Sequence, residues 1–150
     1  MSEQPGRAET VSVPQRTISA AAAHAAVRAA VAHAETLGIR INAAVCDPGG
    51  TLVAFLRMPG AFVPSVEIAI DKAYTAAGFG FPTGKWADVF AQDESLRLGF
   101  PPRPRIVVFA GGLPIRDGDQ LIGAIGVSGG SAEQDERCAQ AGIDAILAGG

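Results

Sequence analysis

Between Ser19 and Leu37 small apolar side chains recur at helical spacing, with Ala23, Ala26, Val27, Ala30, Ala34 and Leu37 on one face. Ser19 stands where an N-cap is needed and Gly38 where a helix stops, so the pattern predicts a packing helix that lets a neighbour come close. His24 and His33, nine residues apart on it, fall on roughly opposite sides at about 100° per residue. They cannot chelate one metal within a subunit and read as boundary histidines. From Ile39 the period changes to two: Ile39, Ile41, Ala43 and Val45 alternate with Arg40, Asn42, Ala44 and Cys46, predicting a half-buried strand. Asp47-Pro48-Gly49-Gly50 is a tight-turn sequence, after which Thr51 to Arg57 returns as the second strand of a hairpin, with Asp47 as the turn's cap.

The segment from Pro64 to Phe79 predicts a second helix with three faces. Val66, Ala69, Ile70, Ala73, Ala76 and Ala77 form a core face, and Glu67, Asp71, Tyr74 and Gly78 a polar one. Ser65, Ile68, Lys72, Thr75 and Phe79 line up as a mixed stripe. A cation and a hydroxyl among apolar groups suit the wall of a ligand pocket. Equally, Lys72 snorkels across a subunit contact and Thr75 bonds a backbone carbonyl.

Residues 80–104 are irregular, bracketed by Pro82 and by Pro101, Pro102 and Pro104. Trp86, Val89 and Phe90 mark a short amphipathic helix docking by its aromatic side, in a segment of lid or oligomer-arm length. Ile106 to Ala110 then predicts a strand, and Gly111, Gly112, Asp117 and Gly118 a reversal. Leu121 to Val127 predicts another strand, in which Gly123 and Gly126 admit a close backbone or a flat ligand. Ser131 and Gln134 form a capping box opening a helix from about Ala132 to Leu147, where Asp135 and Glu136 complement the dipole. The glycines before it match neither phosphate-loop pattern.

Two strand pairs separated by helices, without β-α-β alternation, predict an α+β domain: one antiparallel sheet of four or five strands with packed helices. The expected organisation is a polar tail at residues 1–16 and a single domain at 17–150. With 48% hydrophobic and 18% charged residues in 150, the chain is no disordered protein, and its sparse surface charge points to buried subunit contacts. A net charge of −3 with scattered Lys and Arg argues against nucleic acid, and no apolar run is long enough to cross a membrane. The start lacks the features of a secretory signal, which makes a cytoplasmic location the expectation. Cys46 and Cys138, far apart and outside any CxxC, read as reduced thiols.

The stretches DPGGTLVAFLRMPGA, SVEIAIDKAYTAAGF followed by PT, GGLPI, and IGAIGVSGGSAEQDERCAQAGIDAI occur in one order across residues 17–147. In this the chain resembles the GlcG/HbpS-like family of small haem-binding or haem-degrading domains. The resemblance implies a profilin- or PAS-like fold, a homo-oligomer, a small-molecule ligand and haem as the cofactor, some relatives standing in catabolic operons. Carried over by position, the implied site is Arg57, Lys72 and Thr75 with Gly126, Ser128 and Gly129 nearby.

Two functions follow. As a haem module, Thr75 or Tyr74 is the ligand and Lys72 and Arg57 partner the propionates, with a histidine of the first helix as an outside candidate for the iron. As a cofactor-free isomerase, tautomerase or lyase on a carboxylate-bearing intermediate, Arg57 grips the carboxylate and a desolvated Lys72 is the general acid or base. Asp47 and Glu67 rank below it as proton carriers. A third reading is an oligomeric scaffold with a vestigial pocket.

Overall fold

The computed structural model describes residues 9–147. Helix α1 (Ala20–Leu37) starts where Ser19 Oγ accepts the Ala22 N–H at 3.1 Å and ends at Gly38 in the left-handed region, φ 70°. The hairpin of β1 (Asn42–Cys46) and β2 (Leu52–Arg57) turns on Asp47, whose carboxylate accepts the N–H groups of Gly49 and Thr51. Helix α2 (Pro64–Phe79) is followed by a 3-10 turn (Thr83–Lys85), α3 (Trp86–Gln92) and α4 (Glu94–Gly99). Strands β3 (Gly112–Asp117) and β4 (Gln120–Ser128) and helix α5 (Ala132–Leu147) complete the order.

The four strands form one antiparallel sheet in the order β2-β1-β4-β3. This is the expected α+β architecture. Helices α1 and α5 pack together on one face, over Ala43, Val45, Ile115, Ile125 and Val127. Helix α2 covers the other face, where Ala73, Ala76 and Ala77 meet Cys46 and Ala124. Its small side chains let the helix axis come so close that a Cβ at Gly126 would collide with the Ala69 carbonyl and the Ala73 nitrogen. Among the described residues no helix is long and apolar enough to cross a membrane.

Four expectations need correction. The predicted strand at Ile106–Ala110 is an irregular strap, and most of the reversal predicted around Gly111, Gly112, Asp117 and Gly118 is β3 itself, Gly112–Asp117. An edge strand tolerates Pro114, whose missing N–H costs no ladder bond on the open side. The reversal is the two residues Gly118 and Asp119, with Gly118 at φ 66°. Strand β1 is buried at every position, not half-buried, because helices cover both faces of the sheet. On α2 the mixed stripe goes inside as well: Ser65, Lys72 and Thr75 are buried, whereas Val66 and Ile70 of the predicted core face are only half-buried. The 80–104 segment docks as expected on Trp86, which is ringed by Phe79, Phe81, Phe90 and Phe100 at centroid distances of 4.7–5.6 Å.

Candidate functional site

Lys72 sits where α2 passes the end of β4, and its side chain runs round the sheet edge toward the first turn of α5. Its Nζ donates to the Val127 carbonyl at 2.8 Å and to Asp135 Oδ2 at 3.1 Å. Neither partner is exposed, Lys72 at 0% and Asp135 at 2%. Burial pushes the lysine's proton affinity down and the carboxyl's up, each against the pull of its partner. The other carboxylate oxygen of Asp135 accepts the Gly130 N–H, and the Ser131–Gln134 box uses further N–H groups at this helix start. The opening of α5 is therefore filled by its own side chains.

One turn on, Thr75 Oγ1 donates to the Arg105 carbonyl at 2.8 Å and accepts the Val107 N–H at 3.1 Å. Thr75 is 1% exposed. With both hydroxyl functions used and no exposed surface, Lys72 and Thr75 touch a ligand only if these internal bonds break. Lys72 also lacks, in this arrangement, the access that a general base requires. Tyr74 turns away from them and lies under the Arg105 guanidinium, 3.7 Å from its ring centroid. Arg57, at the end of edge strand β2, is exposed and donates to the Ala61 carbonyl at 2.7 Å. Its row continues through Asn42 to Ser128, two strand spacings or about 10 Å away. Gly126 lies flush under α2 and Gly129 against the Arg40 carbonyl, so both glycines admit backbone. The residues taken from the resemblance thus divide: Lys72, Gly126 and Ser128 are neighbours, while Arg57 and Tyr74 lie on separate flanks. Glu67 is exposed and lines, with Ile70, Asp71 and Arg105, a cavity of about 350 Å³ on the outer side of α2.

The open apolar site lies elsewhere, between α1 and β2. His24, Arg28, Val31 and Glu35 follow at i, i+4, i+7 and i+11, so one helix face carries all four beside the edge strand. They line, with Ala32 and Leu56, a cavity of about 420 Å³. A second cavity of about 330 Å³ shares His24 and Leu56 and is walled by Ala20, Val27, Val53, Ala54 and Phe55. Each volume is within the range of small-ligand pockets. The groove exists because β2 is the outermost strand and α1 covers only part of it.

An exposed imidazole, apolar walls and a guanidinium one turn from the imidazole are what a haem requires: an axial donor, a ring face and a propionate partner. The chemistry of the donor set therefore fits the group here. The sequence offers one of His24 and His33 as an outside candidate without choosing between them, and does not single out Arg28, although the i, i+4 spacing is available. Asp135, assigned to the helix dipole, and Thr83 were missed as buried partners, since nothing local in the sequence marks them.

The family model described as haem degrading protein HbpS-like matches residues 18–144. A 15.0 kDa protein of the dhaT-dhaS intergenic region of Citrobacter freundii is 39% identical over 129 residues, covering 85% of this chain and 91% of that one. Among solved structures, Klebsiella pneumoniae ORFY superposes with a TM-score of 0.87 at 34% identity, over 94% of this chain and 98% of that one. A PduOC–haem complex superposes with a TM-score of 0.76 at 35% identity, over 87% and 96%.

Proposed function

Starting from the fact that the chain belongs to the HbpS-like family of haem degrading proteins, we propose that it binds haem in the groove between α1 and β2. The His24 imidazole would hold the iron and Arg28 would pair with a propionate. The observation that carries this reading is the placement of the exposed His24 in the wall shared by two cavities, with Arg28 one turn further along the wall of the larger one. Val27, Val31, Val53, Phe55 and Leu56 supply the faces that exclude water from the ring. Glu35 lies toward the far end of the helix stripe, so repulsion directs the propionates to the Arg28 side. Bound haem supplies a redox-active iron, and the protein contributes its ligand, its orientation and the polarity of its surroundings. Lys72 and Thr75 in this reading hold the frame together rather than touching the ligand. The haem complex of PduOC is consistent with this ligand class on this fold.

A homo-oligomer is part of the same reading. The exposed Phe62, Val63 and Leu98, at 66%, 71% and 64%, supply apolar surface for contacts between copies. Light scattering after gel filtration measures the subunit number, and a monomer at all concentrations removes this part.

The test of haem binding is a haemin titration followed by absorbance, with His24→Ala and a nonspecific protein alongside. A saturable Soret shift at one haem per chain, altered in position and weakened in His24→Ala, supports the reading. An identical shift in the variant removes His24 as ligand, and a shift no larger than the control's removes haem.

A further inference from the structure

Residues 105–111 carry no helix or strand, although they run between two ordered parts of the fold. Two threonine hydroxyls clasp them. Thr75 Oγ1 holds the Arg105 carbonyl and the Val107 N–H, and Thr83 Oγ1 holds the Phe109 carbonyl at 2.7 Å and the Gly112 N–H at 2.9 Å. Each clasp therefore bridges a carbonyl and an N–H a few residues on, doing with one side chain what a strand ladder would do with a neighbour. At one end Arg105 is the sole non-glycine residue at positive φ, 65°, among the described residues; at the other Gly111 has φ 132°. The arginine is held in that conformation from outside, by Asp71 at 3.0 Å and by the Tyr74 ring.

Under this strap lies Lys72, the cationic half of the pair with Asp135. Lys72 Nζ is 5.0 Å from the centroid of the Phe109 ring, and a Cβ at Gly111 would collide with Nζ. The roof itself is thin, since Phe109 is 49% exposed. Lifting it costs two clasps, the bond from the Val127 N–H to the Gly111 carbonyl and the burial of Val107, while it returns the Lys72 ammonium to water and releases Arg105 from a left-handed backbone. Rehydration of a buried charge offsets part of that cost, so opening here is cheaper than opening a part of the core that buries apolar groups alone.

We infer that residues 105–111 are a hinged strap, pivoting at Arg105 and Gly111, whose opening uncovers the Lys72 ammonium without unfolding the sheet. The two threonines are positioning residues that set how often it opens. This inference is independent of the haem reading and concerns the opposite face of the sheet.

The chain contains two lysines, and Lys85 is exposed, so it is an internal reference. The full chain is treated with an acetylating reagent under native conditions, and labelling at Lys72 and Lys85 is followed by mass spectrometry in the wild type, Thr75→Val and Thr83→Val. The expected result is slow labelling of Lys72 that rises tenfold or more in either variant, with Lys85 unchanged. Amide exchange in the unmodified wild type provides the second measurement: Val107 and Gly112 exchange together and faster than Val45 and Ile125. The strap is overturned if Lys72 is labelled only as fast as the central strands exchange, with the same denaturant dependence and no response to the variants. Equal protection of Val107 and Val45 overturns it as well, whether or not the variants fold.

Discussion

Lys72 Nζ meets Asp135 Oδ2 at 3.1 Å although their helices, α2 and α5, lie on opposite faces of the sheet. The bond passes round the end of β4, where the same ammonium also takes the Val127 carbonyl. Two layers that share no helix–helix interface of consequence are joined there by one charged pair.

Removal of one partner leaves the other ionised and dry. Lys72→Met is expected to destabilise the fold by about 3–5 kcal/mol, because Asp135 then stays buried without its cation. The double variant Lys72→Met/Asp135→Asn recovers most of that loss, since the amide oxygen of Asn still accepts the Gly130 N–H. Urea unfolding of the three proteins measures both steps, and a double variant no better than the single one contradicts the account.

Gly126→Ala tests how closely α2 lies on the sheet. Its Cβ would enter the space of the Ala69 carbonyl and the Ala73 nitrogen, which belong to backbone and cannot swing aside. The expected cost is about 1–3 kcal/mol, the range for overpacking a tight interior. Gly78→Ala, on α2 itself, where a Cβ meets nothing, is the control. Thermal unfolding should lower the midpoint for the first and not for the second.

Burial pushes the thiols of Cys46 and Cys138 up to about 11 from 9.0, Asp135 adding to the effect at Cys138. The folded state thus favours the protonated thiol. This stabilisation is complete below about pH 9, the unfolded value, and is lost as pH rises through about 11, at most about 3 kcal/mol for each thiol. Lys72 acts in the opposite sense below its ordinary value of 10.5, because its proton affinity is lowered. Comparing Cys46→Ala and Cys138→Ala with the wild type across pH 8–11 isolates the thiol share: both variants should lose less stability over that range. A thiol-disulfide reagent at pH 8 should find neither cysteine until the chain unfolds.

In the groove, Arg28→Ala is expected to weaken haemin binding by about tenfold, in the range of one charge-assisted bond. The Soret position should stay where it is, because the axial ligand is untouched. Titrations at low and high salt check the assignment: the difference between wild type and variant narrows as ionic strength screens the propionate contact.

Local chemistry was legible wherever a residue's role is settled by its chain neighbours. Ser19, Gly38, Asp47 and the Ser131–Gln134 box stand where the sequence puts them, because caps and turns close within a few residues. The α+β class and the helix bounds of α1, α2 and α5 follow from periodicity in the same way. The 106–110 run was misread because its apolar residues resemble a strand, yet no neighbouring strand takes up its backbone and two threonines do instead. The family signature was also legible, since it spans the chain in order.

By itself, then, the sequence determined helices α1, α2 and α5, the hairpin, the class of fold and the family. Tertiary structure decided which of its polar residues face water. A helical projection separates Lys72 and Thr75 from the alanine face, but it holds no information about Asp135, 63 residues later, or the Arg105 carbonyl, 30 later. Those partners turn a stripe that looks like a pocket wall into part of the interior. They also leave the open groove to His24 and Arg28, beside an edge strand that one helix covers incompletely. Burial depends on what packs against a face, and that is a property of contacts between distant segments.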